Sequence, residues 1–430
     1  MAEEKEEFSF IREKIKEKPV NKKRILKHGI YTVGFAVLFG IVACFVFTLM
    51  QPILENLLYP KESPTISIPE DESETEWQPE ETEQPTEAET EAAEEVTETT
   101  IVKELEISDY QMLQNKIYAI GKEANRSIVT VTGVVSGTDW YNNSYENNDL
   151  AAGVIIGDNG SELLILTEHK VVKDAGQIQV TFIDDVTVNA YLKKYDGNTG
   201  IAILAVALTE VGESTKGRIL YAALGNSNTV AQGNIAIAIG SPLGTNYSIG
   251  TGNITSIGNV IQTIDATYTV FTTDIVGSSN SSGVLLNLNG EVVGLVMQGY
   301  SGNGEDNTLT AISISEVKKL IEMLSNGRDI PYLGLRVVSV TDKIAMDYDL
   351  PKGVYVKEVL LDSPAYNSGL QSGDVIVEMD GEEIDGIDAY EEKVLTSEPG
   401  TVMQIAVMRQ GMEEYLRVEC RVMIGILDAQ

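Results

Sequence analysis

Hydrophobic and polar positions change character several times along the chain. An unbroken apolar run from Ile30 to Met50 follows a charged stretch that ends in Lys22, Lys23, Arg24 and Lys27. Its length is close to the roughly 20 residues that cross a bilayer. A cleavable signal peptide, the competing reading, would have an apolar region of about 7–15 residues followed by a small-residue cleavage site. The pattern predicts a transmembrane helix over 29–51, and positive charge on its N-terminal flank places a basic tail, 1–28, in the cytoplasm and the remainder outside. From 61 to 100 the pattern disappears into Glu, Thr and Pro, with about fifteen acidic residues and few apolar ones. Such a tract cannot bury enough surface to offset the entropy of ordering, so 52–104 is expected to be a disordered, self-repelling stalk.

Periodicity returns after the stalk. Tyr110, Leu113, Ile117 and Ile120 have helical spacing over 108–125, with Ser108 or Asp109 as a candidate N-cap. Short apolar runs follow at 127–135, 151–157, 163–167, 177–183, 201–207, 234–239, 253–257 and 270–273, separated by Gly, Asn and Asp turns. This rhythm belongs to an all-β barrel or sandwich. The polar segment 136–149 reads as an exposed, mobile loop, and 317–324 as a closing helix. Beyond Tyr332, strand-like runs at 353–359, 374–379 and 402–409 alternate with Gly turns and one helical stretch, suggesting a second, small domain of strands capped by helices.

Composition narrows the function. The formal net charge of -34 argues against nucleic acid, whose phosphates need clustered Lys and Arg. Two cysteines, Cys44 and Cys420, cannot make a disulfide framework, and two histidines, His28 and His169, provide no zinc cluster. No metal or other cofactor is expected.

Candidate chemistry concentrates in 273–297, TDIVGSSNSSGVLLNLNGEVVGLVM. The small residues from Gly277 to Gly283 allow a tight turn that can expose a hydroxyl. Asn289-Gly290 reads as a hairpin turn between two apolar strands. This stretch resembles the nucleophile motif G-N-S-G-G-P-L and the N-L-N-G-E hairpin of the HtrA family of serine proteases. The segments AAGVIIGDNGSELLILTEHKVV from Ala151, AIGSPLG from Ala238 and GTGNITSIGN from Gly250 are similar to further family segments in the same order. YLGL from Tyr332 and GVYVKEVLLDSPAYNSGLQSGDVIVEMDGEEI from Gly353 resemble the PDZ domain that follows the protease domain in that family.

The resemblance implies a mostly β protein, a trypsin-like double β-barrel over 105–326 followed by a PDZ domain over 327–425. It places Ser281 at the nucleophile, with Ser282 as the alternative register because the preceding loop is one residue short. The histidine of T-N-x-H-V-V falls on Lys170, with His169 one position early. The triad aspartate falls on Gly200, and Asp196 matches an earlier, non-catalytic aspartate. The oxyanion-hole glycine falls on Ser279, whose Cβ restricts the backbone angles that would aim its N–H. In a comparable triad, loss of the histidine alone costs on the order of a millionfold in turnover. The expectation is a proteolytically inactive homologue, with a Ser281–Lys170 dyad and a Ser281–His169 pair as the active alternatives. In the PDZ domain, the amides of Leu333, Gly334 and Leu335 beside Tyr332 would receive a peptide's C-terminal carboxylate while the peptide adds as a strand. The implied partners are exposed or C-terminal polypeptide segments, in envelope protein quality control or scaffolding, with a homotrimer or an assembly with active relatives.

Overall fold

A computed structural model describes residues 31, 33–42, 45–46, 65–71, 106–138, 144–301, 307–412 and 414–427. The chain divides into two compact units, 1–63 and 64–430. In the first, residues 31, 33–42 and 45–46 are helical and exposed. The transmembrane helix expected over 29–51 extends outside the described residues, and among these no helix is long and apolar enough to cross a membrane. The basic tail lies wholly outside them.

In the second unit, a helix, α1 (Ile107–Ala124), leads into two closed barrels. The first comprises β1 (Ile128–Thr138), β2 (Ser144–Asp158), β3 (Glu162–Glu168), β4 (Gln177–Thr181), β5 (Thr187–Tyr195) and β6 (Ile201–Ala207), ordered β1-β2-β3-β6-β5-β4. The second comprises β7 (Ile235–Ser241), β8 (Ser248–Gln262), β9 (Thr267–Val276), β10 (Ser282–Leu286), β11 (Val292–Met297) and β12 (Thr308–Ser313). Its order, β7-β8-β9-β12-β11-β10, repeats that of the first.

The continuous apolar runs of β3 and β6 follow from burial on both strand faces. Leu163, Ile165, Leu204 and Val206 point into the first barrel, while Leu164, Leu166, Ile201 and Ile203 join a larger core. That larger core also takes Ile237, Ile239, Val284 and Leu286 from the second barrel, so the barrels are glued face to face. Each such side chain contributes about 1.5–3 kcal/mol by leaving water. A closing helix, α2 (Ile314–Ser325), seals the same core with Val317, Leu320, Ile321 and Leu324.

Several expectations need correction. Helix α1 is capped by Glu106, with Asp109 completing a capping box, rather than by Ser108 or Asp109. It buries Ile117 while Tyr110 and Leu113 remain exposed. The mobile loop expected over 136–149 is largely a hairpin, since β1 and β2 stay paired out to Thr138 opposite Ser144. Strand β5 was not anticipated. The stalk is not disordered throughout: residues 65–71 run alongside α2 without regular secondary structure. There, Asn326 exchanges side-chain hydrogen bonds with the backbone of Ile66, Glu322 accepts from Ile68 N, and Lys318 pairs with Asp71 at 2.6 Å. Ile66 and Ile68 pack on the main core, an apolar contribution that the acidic average concealed. Residues 72–105 lie outside the described set.

The C-terminal region has its own core. Strands β13 (Pro331–Tyr332), β14 (Leu335–Val340), β15 (Gly353–Val359), β16 (Val375–Met379), β17 (Glu382–Glu383), β18 (Val402–Gln410), β19 (Tyr415–Met423) and β20 (Gly425–Ile426) follow in sequence. The main sheet runs β14-β15-β16-β18-β19, with β17 paired to β16, and β13 pairs with β20. Helix α3 (Ile387–Thr396) inserts Tyr390 and Val394 into this core. Strand β14 is an edge strand of this sheet, and at its start Leu335 O accepts from Asp265 N on the far side.

Candidate functional site

The turn before β10 positions the candidate nucleophiles. Gly283 has φ +124°, and a Cβ there would overlap the Ile239 carbonyl oxygen on β7. Only glycine permits this close approach, which presses the serine loop against 241–244. Ser281 is fully buried. Its Oγ donates to Pro242 O at 2.5 Å and accepts from Ser278 N at 2.7 Å. Its own N–H donates to Ser278 O at 2.9 Å. Both the hydroxyl and the amide that would serve catalysis are therefore engaged within the loop. Ser279 is exposed and does not adopt the left-handed backbone open to glycine.

Of the two candidate nucleophiles, Ser282 lines the neighbouring cleft, a space of about 600 Å³ bordered also by Thr130, Lys170, Ser241 and Asn280. Its Oγ accepts from Ala152 N at 2.8 Å.

The residues expected at the base and acid positions lie side by side, because β3 pairs with β6 and His169 N donates to Gly200 O at 2.7 Å. Their side chains have diverged. Lys170 reaches the cleft but pairs with Glu168 at 2.7 Å. That contact uses the ammonium as a donor, whereas a general base needs the free amine. Glu168 is buried, and burial pushes its carboxyl up against the opposing pull of Lys170. Its Oε1 has no hydrogen-bond partner among the described residues. His169 does not line the cleft; it stacks on Tyr195 with ring centroids 3.6 Å apart. Burial holds its pKa below the usual imidazole value, Lys173 acting in the same direction and Asp174 opposing.

At the acid position Gly200 has φ +78°, and a Cβ added there would find Met297 Cε as its nearest neighbour, at 3.8 Å. Asp196 is buried and spent on the turn itself, accepting from Asn198 N, Thr199 N and Thr199 Oγ1. Its carboxyl is pushed up by burial, against those donors. At the three positions where the sequence reading expects a Ser-His-Asp relay, the serine hydroxyl and the lysine are paired elsewhere, the histidine is stacked on Tyr195, and Gly200 carries no side chain.

The second candidate site is the turn between β13 and β14. Leu333 N and Gly334 N donate to Asp265 Oδ2, each at 2.8 Å, and Leu335 N donates to Asp265 Oδ1 at 2.9 Å. These are the amides expected to receive a chain-end carboxylate, and Asp265 arrives from the turn between β8 and β9. Tyr390 Oη adds a fourth donor, to Oδ1 at 2.9 Å. Burial pushes the Asp265 carboxyl up, and the four donors oppose it. Sequence reasoning missed Asp265, since nothing in TIDAT marks a contact with residues nearly seventy positions away. Pro242, which accepts from Ser281, was likewise unforeseen.

Two six-stranded barrels followed by a PDZ-like sheet make up a trypsin-like double barrel with an appended PDZ module. Residues 151–295 match the trypsin-like peptidase domain model and 331–420 match a PDZ domain model. The chain is 30% identical over 265 residues to a probable periplasmic serine endoprotease DegP-like of Chlamydia trachomatis serovar D, covering 60% of this chain and 51% of that one. It is 31% identical over 256 residues to the serine protease Do-like HtrB of Bacillus subtilis, covering 54% of each. The HtrA-type protease AlgW with tripeptide shares the fold at a TM-score of 0.53 and 23% identity, covering 72% of this chain and 97% of that one. The chain is thus similar to HtrA-type proteases in carrying a trypsin-like peptidase domain followed by a PDZ domain. It spans about half the length of these curated relatives.

Proposed function

We propose that this chain is a membrane-anchored HtrA-type protein that binds exposed or C-terminal peptide segments without cutting them, in envelope protein quality control or scaffolding. The observation that carries this reading is the combination at the relay positions. The Ser281 hydroxyl is buried on Pro242 O, Lys170 stands at the base position in an ion pair, and Gly200 leaves the acid position empty. Hydrolysis by the usual route needs a base on the hydroxyl and donors aimed at the oxyanion. Here the hydroxyl and the Ser281 N–H are already engaged. The preformed turn of three amides on an edge strand supports peptide binding. The apolar run 30–50 behind a basic flank supports single-pass anchoring with the C-terminal domains extracytoplasmic. Assembly as a homotrimer, or with active relatives, belongs to the same reading.

The test is digestion of casein by the purified full chain beside its Ser281→Ala and Ser282→Ala variants. Equal background cleavage by all three supports the reading; cleavage that disappears in one variant defeats it.

A second reading, an active serine endopeptidase, is favoured by the relatives' names and by Ser282 and Lys170 lining one cleft. It requires Lys170 to leave Glu168 and give up a proton, or His169 to leave Tyr195 and serve Ser281.

A further inference from the structure

We propose that Asp265 is a built-in ligand of the PDZ carboxylate site, a side-chain carboxylate held where the end of a bound peptide would sit, so that peptide binding requires the β8–β9 turn to withdraw. This rests on the peptide-binding reading above and adds its regulation. The mimicry extends beyond the carboxylate. Asp265 N donates to Leu335 O at 2.7 Å, the first main-chain pair a strand added to β14 would make. Gln262 O, on the same turn, accepts from Arg336 Nη1 at 3.3 Å, so the turn lies over the start of the open edge.

The receiving turn is shaped independently of Asp265. Gly334 has φ +88°, and a Cβ there would overlap Ser363. Leu360 N donates to Gly334 O and Ala365 N to Leu333 O, holding the turn from the opposite side. If Asp265 leaves, three converging N–H groups remain as an anion site. On its own side, Asp265 is presented with φ +58° on a turn closed by Thr263 N and Oγ1, both donating to Ala266 O. A buried carboxylate is tolerated only when fully hydrogen-bonded, and these donors satisfy that requirement. A chain-end carboxylate would satisfy the same donors equally well. The two therefore compete, and apparent peptide affinity is reduced by the fraction of molecules in which the site is open.

The experiment measures fluorescence anisotropy of a fluorescein-labelled heptapeptide library with apolar last residues, as free carboxylates and as amides, against the full chain in detergent. Asp265→Ala is expected to bind carboxylate peptides at least tenfold more tightly than wild type, with no such gain for amides. Tyr390→Phe, which removes one donor from Asp265, should gain severalfold in the same direction. Equal binding of carboxylate peptides by wild type and Asp265→Ala overturns the competition while leaving peptide binding intact. Binding by neither defeats the peptide-binding reading and the competition with it. If Asp265→Ala lacks a cooperative melt, the near-isosteric Asp265→Asn decides by the same criterion.

Discussion

Substituting Gly283 by alanine tests why the serine loop sits where it does. At φ +124° an L-residue is strained, by about 1–2 kcal/mol on the scale of left-handed backbone. The new methyl would also meet the Ile239 carbonyl oxygen and lie 3.0 Å from Gly240 Cα, both backbone atoms of β7 in a closed barrel. Forcing a group into packed backbone typically adds about 1–3 kcal/mol. The sum is about 2–5 kcal/mol, or roughly 4–20 °C in Tm for a domain of about 150–250 residues. Gly200→Ala is the control, because it carries the φ strain with no atom nearer than 3.8 Å. Differential scanning fluorimetry of both variants should show Gly283→Ala melting well below Gly200→Ala. Equal shifts, or a Gly283→Ala shift under about 2 °C, would refute close strand approach as the reason for this glycine.

Asp71→Asn leaves Lys318, itself only 4% exposed, without its anionic partner. Breaking a buried pair costs about 3–5 kcal/mol, lessened here because residues 65–71 can detach. The expectation is a loss of about 1–3 kcal/mol, with hydrogen exchange accelerating at Ile66 and Ile68. At the domain junction, burial among Asp388 and Glu316 pushes Glu391 up to about 7 although it accepts from Thr267 N and Oγ1. The folded state therefore holds a proton that the unfolded state releases near 4.5, so this contribution is present at pH 4.5 and lost as pH rises through 7. The Tm difference between wild type and Glu391→Gln should accordingly change between about pH 5 and pH 8, wild type falling relatively at the higher pH.

The barrels were legible because apolar runs such as ELLILTE and IAILAVA bury both faces, and Gly-rich turns punctuate them. Strand β5 escaped although Val188, Ala190 and Leu192 face the core at period-2 spacing, because none of its residues is fully buried and its second half, LKKY, is largely polar. The polar hairpin arms around 136–149 offered no alternation to read. In the stalk, Ile66 and Ile68 have the period-2 spacing of a bound extended segment, a signal masked by the surrounding acid. At the candidate site, the family resemblance assigned residues position by position, with Lys170 and Gly200 expected where the relay's histidine and aspartate would stand. Side-chain direction was not visible: whether Ser281 faces the cleft or Pro242 depends on a rotamer and a turn, and Asp265 reaches its partners through tertiary contact alone.

Intact-mass spectrometry of the full chain after exposure to a fluorophosphonate probe measures serine reactivity most directly. A relay frame without its relay leaves the mass unchanged, as in Ser281→Ala and Ser282→Ala. A stoichiometric adduct that one of those substitutions abolishes would contradict it.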